Sequence, residues 1–249
     1  MKRTLAGFLS ALGYFTIIPA GAASVEAAPD AYAISFLPLI GMLVGGIAGA
    51  LAWVVSFVAP HALVTCTAFA LPILLTGAIH VDGFLDSCDG LFVTASAERR
   101  LEIFKDPRHG TFALAGMVIL CSVWLSALWD FAGWQFPIVL AFAGGVGRLA
   151  TVPNAFFIPY ARGGAVTRQF QSRPSIAVLV VAAVLLLALS VYVGPWAWAI
   201  AIVAPLLNPW FARRLARRLD GGLVGDVYGY LIVVTEVLVL ASLAAFRHA

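Results

Sequence analysis

An all-α polytopic integral membrane bundle is the fold class this sequence predicts: about seven transmembrane helices, preceded by one helix lying in the membrane surface. Three observations carry that prediction. The chain is 62% hydrophobic and 11% charged, with a mean hydropathy of +1.00, where soluble domains carry about 25% charge. Its apolar runs are continuous and rich in Ala, Leu and Gly, which suits helices and not the alternating strands of a barrel. At about 20 residues per span plus connections, 249 residues hold six to eight helices in a single domain, 1–249.

The first element is the N-terminal stretch 4–20. It superficially resembles a signal peptide, but its Gly, Tyr and Thr suit a retained helix lying at the interface. Spans are then expected at 31–58, 62–80, 111–132, 136–158, 175–193, 195–212 and 226–245. Pro38 is expected to kink the first and Pro72 the second. Gly41, Gly45, Gly46 and Gly49 form small-xxx-small pairs that allow close helix contact. Pro205 and Pro209 leave the lower end of the 195–212 span poorly defined. Cys66, Cys88 and Cys121 lack metal-ligand spacing and read as small buried hydrophobes.

Charge then sets orientation. Basic residues cluster at the N-terminus, at 93–110, at 161–174 and at 213–225, while the connections after the first, third and fifth spans hold no Lys or Arg. The positive-inside rule places the three basic loops in the cytoplasm, with Arg247 the exception. With the N-terminus also inside, 4–20 does not cross.

The chemistry concentrates in "GAIHVDGFLDSCDGLF", residues 77–92. On a helix Asp82, Asp86 and Asp89 share one face, within an arc of about 60°. Two carboxylates about 6 Å apart repel by roughly 3 kcal/mol at an effective dielectric near 20. A hard divalent cation, Mg²⁺, is the expected partner, because it takes carboxylate oxygens and leaves positions open for phosphate. In the next loop, Asp106 offers a fourth carboxylate, and Lys105 and Arg108 suit phosphate oxygens. Arg99 and Arg100 read as topology signals. His80, two residues from Asp82, is either a base reached by local unwinding at Gly83 or a satisfied interfacial histidine.

A second acidic region, "GGLVGDVYGYLIVVTE", places Asp226 at the mouth of the last span and Glu236 well inside it. Intramembrane ionisable groups are functional candidates. Glu236 reads equally as a structural partner of Arg148. These parts together suggest phosphoryl transfer at the cytoplasmic face: a metal bridging a diphosphate, basic residues on the leaving phosphate, and an attacking alcohol.

"HVDGFLDSCDG" resembles the His-x-Asp-Gly-x-x-Asp-x-x-Asp-Gly signature of the adenosylcobinamide-GDP ribazoletransferase (cobalamin synthase) family. "LEIFKDPRHGTF" is similar to that family's next block, and "YFTIIP", "YARGG" and "GGLVGDVYG" continue the likeness over nearly the whole chain, in order. The resemblance implies Mg²⁺-dependent joining of adenosylcobinamide-GDP to α-ribazole, or its 5′-phosphate, with release of GMP. It further implies metal and diphosphate roles for Asp82, Asp86, Asp89 and Asp106. Lys105, Arg108 and Asp226 match further motif positions. His80, Asp82, Lys105 and Arg108 are the expected catalytic residues; Lys105, Arg108, Arg148, Arg162 and Asp226 are the expected substrate contacts. The expected setting is a bacterial inner membrane with the site facing the cytoplasm. No nucleic-acid partner is expected, and a homo-oligomer is left open.

Two rivals share some of these features. CDP-alcohol phosphatidyltransferases also use Asp-x-x-Asp-Gly helices, but expect Ala-Arg soon after the Gly and a second carboxylate block; here "GLFVTAS" follows. A cation transporter would need its carboxylates at the bilayer midplane.

Overall fold

The computed structural model describes residues 2–21, 29–161 and 174–248. Its elements are all helical: α1 Lys2–Phe15, α2 Ala31–Ile34, α3 Leu37–Val55, α4 His61–Leu75, α5 Ile79–Phe92, α6 Ala97–Ile103, α7 Thr111–Trp129, α8 Gln135–Thr151, α9 Asn154–Phe157, α10 Ile176–Val193, α11 Ala197–Ala216 and α12 Gly225–Ala245. The sequence expectation of an all-α polytopic membrane protein holds. Among the described residues five helices are long and apolar enough to cross a membrane: α3, α7, α8 with its continuation to Phe157, α10 and α12. α8 and α12 are mostly buried and form the centre, whereas α7 and α10 show most of their surface outward.

Close packing in the centre follows from small residues. A Cβ on Gly41, Gly45 or Gly49 of α3 would lie 2.1–2.4 Å from backbone oxygens of α8, so only glycine lets these two helices approach this closely. Gly46 is uncrowded: a Cβ there would meet only the Ala141 Cβ of α8, at an ordinary 3.8 Å.

Three expectations are corrected. Pro38 does not kink a span; it sits in the first turn of α3, where its missing N–H costs nothing. Residues 31–34 form a separate short helix, capped by Asp30, whose Oδ1 accepts from the Ala33 N–H at 2.8 Å. The 62–80 span is broken: α4 ends at Leu75, and α5 leaves it at 90°. Gly77 and Ala78 make the turn with φ of 57° and 60°, a left-handed conformation that costs Ala but not Gly. α4 alone, at about 1.5 Å per residue, is too short for a hydrocarbon core of about 30 Å. α11 runs unbroken through Pro205 and Pro209 but is not among the five spanning helices. Cys66 is exposed, Cys88 is buried and Cys121 lies between.

α1, at 14 residues, is likewise too short to cross. Ala11 and Leu12 pack on Phe36, Ile40 and Val44.

The loops sort by end. Arg218 Nη1 donates to the Leu91 carbonyl at 3.1 Å. Leu223 donates to the Pro159 carbonyl, and Ala161 donates to Leu223, both at 2.9 Å. These contacts bring the ends of three basic connections together. At the other end His61 Nε2 meets the Trp129 carbonyl at 2.9 Å, and Arg247 donates to Gln135 Oε1 at 3.1 Å.

Candidate active site

α5 carries the acidic face. It crosses the start of α12 where Gly83 lies against Asp226; a Cβ there would sit 2.7 Å from the Asp226 carbonyl oxygen. This close approach brings Asp226 to the same acidic face. Burial raises the Asp86 carboxyl to about 6, and the charges of Asp226, Asp82 and Asp89 add to the rise, while His109 opposes it. Asp82 is exposed and Asp86 half-buried.

The 105–110 loop is tied to this helix. Gly110 N–H donates to Asp89 Oδ2 at 2.5 Å, and Ala113 N–H to Asp89 Oδ1 at 3.0 Å. Asp89 thus caps the N-terminus of α7, where orphan N–H groups and the helix dipole favour an anion. His109 Nδ1 lies 3.5 Å from Asp86 Oδ1. Asp106 is engaged by Arg108, whose Nε and Nη2 donate to its two oxygens at 2.9 and 2.8 Å. These bonds hold Asp106 down at about 2. Lys105 and Arg108 are exposed in the loop that His109 and Gly110 tie to α5. Arg162 lies outside the described residues.

The C-terminus of α5 is held by two arginines. Arg100 donates through Nη1 to the Gly90 carbonyl at 3.1 Å and to that of Leu91, and through Nε to that of Ala95 at 3.1 Å. Arg218 also reaches Leu91. Cations at a helix C-terminus satisfy its orphan carbonyls, so Arg100 has a structural task that a topology reading misses. Arg99 pairs with Glu102 on the exposed surface at 2.7 Å.

Behind the site, Arg148 of α8 is paired with Glu236 of α12, both buried. Arg148 Nη1 also donates to the Gly144 carbonyl at 3.0 Å, and Nη2 lies 3.5 Å from His80 Nδ1. Of the two readings of Glu236, the structure shows the pairing with Arg148. Unwinding at Gly83 does not reach His80: α5 is continuous, the break precedes it, and His80 is buried at 6% exposure. It lines a cavity of about 290 Å³ with Phe15, Tyr160, Asp226 and Tyr228. The sequence reading passed over Phe15, Tyr160 and Tyr228, although the "YFTIIP", "YARGG" and "GGLVGDVYG" blocks contain them.

Among the described residues no three His, Cys, Asp or Glu side chains converge closely enough to hold a metal by themselves. The donor chemistry nevertheless fits Mg²⁺ carried by a phosphate group. Asp82, Asp86 and Asp226 supply hard oxygens whose mutual repulsion adds to the burial that raises Asp86, and Mg²⁺ commonly uses one or two carboxylates with waters and substrate phosphates.

The comparisons with known proteins agree on one family. A family model described as cobalamin-5-phosphate synthase matches residues 7–244. The chain is 38% identical over 233 residues to the adenosylcobinamide-GDP ribazoletransferase of Deinococcus radiodurans, covering 92% of this chain and 82% of that one. It is 35% identical to the protein of the same name from Roseiflexus sp. strain RS-1, over 94% of this chain and 87% of that one. For Bradyrhizobium diazoefficiens the identity is 31%, over 99% and 96%. No solved structure matches. With an acidic helix, a basic loop tied to it, and matches end to end, the chain belongs to the cobalamin-5-phosphate synthase family.

Proposed function

We propose that this chain transfers the adenosylcobinamide phosphate moiety of adenosylcobinamide-GDP to α-ribazole, or to its 5′-phosphate, releasing GMP. The carrying observation is the acidic face of Asp82, Asp86 and Asp226, with the Lys105–Arg108 loop fastened beside it through Asp89. The relatives' shared name supports the substrate pair.

In this reading the diphosphate lies along the exposed edge of α5. Asp82 and Asp86, with the substrate's phosphate oxygens, would hold Mg²⁺, which when bound neutralises the diphosphate's charge; the charge of Asp226 adds to the acidic face. Lys105 and Arg108 bind phosphate oxygens of the leaving GMP; Arg108 reaches them by exchanging its Asp106 partner for phosphate. Asp226 accepts a hydrogen bond from the attacking ribose hydroxyl, one that is free in both acceptors, and takes its proton. The new bond joins that oxygen to the cobinamide-linked phosphorus, and the bond to the GMP oxygen breaks. Asp89 positions the loop by capping α7. Arg148 acts from behind, through His80 and Glu236, and not on the diphosphate.

The site faces the cytoplasm of a bacterial inner membrane, supported by the gathering of the basic loops at its end of the bundle. Incubating the purified protein with both precursors and Mg²⁺ tests the reading. GMP release dependent on both substrates is expected; release of CMP from a CDP-alcohol instead, or no release, would overturn it.

A further inference from the structure

The cavity beside α5 is closed mostly by apolar and aromatic side chains, with His80, Thr151 and Asp226 among them. Phe15 lies parallel to the His80 ring, with centroids 6.1 Å apart and planes 8° from parallel. Tyr14, Tyr160 and Tyr228 add further aromatic surface.

The state of His80 follows from its neighbours. Its Nδ1 faces the Arg148 guanidinium, which has donors and no acceptor. Nδ1 therefore presents its lone pair, and the neutral ring carries its proton on Nε2. Arg148 is fixed in this orientation by Glu236 and the Gly144 carbonyl. His80 Nε2 is buried and has no hydrogen-bond partner among the described residues. A buried donor without an acceptor is costly; here the ring forms part of the cavity wall while the nitrogen itself is covered, so a turn of the ring would present it to an occupant.

Size selects the occupant. At about 290 Å³ the cavity is near the lower bound of small-molecule pockets, about 300 Å³. It takes one fused ring with a sugar and excludes a corrin macrocycle. Asp226 stands where the cavity meets the acidic face, its backbone against Gly83 and its charge acting on Asp86.

We infer that this cavity seats the heteroaromatic nucleoside acceptor, its ring among Phe15, Tyr160 and Tyr228. On a turn of the His80 ring, Nε2–H donates to a ring-nitrogen or sugar-oxygen acceptor, and the sugar's hydroxyl end points to Asp226. This makes His80 a binding donor and not the general base. The inference rests on the proposed transfer reaction and adds which substrate lies where.

Steady-state kinetics on the full chain in detergent separate the two substrates. Ala155→Phe, which fills the cavity from α9, is expected to raise the KM of α-ribazole at least about tenfold while that of adenosylcobinamide-GDP stays within about twofold. An unmoved α-ribazole KM, or an equal rise for both substrates, overturns the assignment. Should Ala155→Phe be inactive, His80→Gln and His80→Phe decide. Gln keeps an N–H donor and is expected to hold the α-ribazole KM within about threefold; Phe is expected to raise it about tenfold. Equal effects of Gln and Phe overturn the donor role and the seat with it. Absence of GMP release by the wild-type chain would instead overturn the transfer reaction, and this assignment with it.

Discussion

Arg148 and Glu236 meet inside the bundle with side chains only 4% and 9% exposed, joining the two central helices, α8 and α12. Removing one partner leaves the other charge buried and alone, at a cost of roughly 3–5 kcal/mol. Arg148→Met and Glu236→Leu should each lower the thermal midpoint in detergent strongly. The double variant should recover much of the loss, since an apolar pair replaces the ion pair. Equal midpoints for the single variants and wild type would show that the pair does not hold the helices.

The α5 C-terminus gives a contrast between neighbouring arginines. Arg100→Ala removes bonds to the Gly90, Leu91 and Ala95 carbonyls and should cost about 1.5–3 kcal/mol. Arg99→Ala removes only an exposed pair with Glu102 and should cost less than about 1 kcal/mol. Thermal unfolding of the two variants checks the difference. Equal losses would mean that Arg100 does not anchor α5.

Asp86 links stability to pH and to metal. Its carboxyl is raised from 3.8 to about 6 by burial and by Asp226 and Asp82. Between those values the folded state binds more protons than the unfolded one, so this group's contribution to stability falls as pH rises through that window. Without divalent cation, wild type minus Asp86→Asn should therefore show relative stability declining from pH 4 towards pH 7. Mg²⁺ at pH 7 should restore wild type more than Asp86→Asn. Midpoints recorded across pH with and without Mg²⁺ test both arms; a difference curve flat in pH and metal contradicts the acidic cluster.

Orientation is tested by single cysteines in a cysteine-free background. Positions in 93–110, 161–174 and 213–225 should resist an impermeant reagent on intact cells and react after lysis. Labelling of any of those loops from outside reverses the topology.

How much could be read from residues alone divides along physical lines. Local periodicity served well: spacings of four and seven placed Asp82, Asp86 and Asp89 on one helix, and the alternation of basic loops matches their meeting at one end. Hydropathy reads through a turn made of apolar residues, so the 90° break at Gly77 and Ala78 was hidden. Pro38 looked like a kink because its effect depends on where the helix begins. The long-range partnerships were the least visible. Phe15, on α1, and Tyr160, in the segment after α9, reach the cavity of His80 from far away in sequence, and no period in the sequence announces such contacts. Arg100 read as a topology signal because its carbonyl partners are backbone, which composition cannot show.

The central claim is that the acidic face of α5 and α12 holds Mg²⁺ for the transfer. Its most direct test is GMP release against Mg²⁺ concentration for wild type, Asp82→Asn, Asp86→Asn, Asp226→Asn and, as a control off the face, Glu98→Gln. Each of the first three variants keeps its shape and loses a charge. Removing one preorganised charged group commonly costs about 10²–10³ in rate, and here the half-saturating Mg²⁺ should also rise, with excess metal recovering part of the activity at least for Asp82→Asn and Asp86→Asn. Glu98→Gln should follow the wild-type curve. Wild-type rate and metal dependence in all three Asn variants would contradict the account.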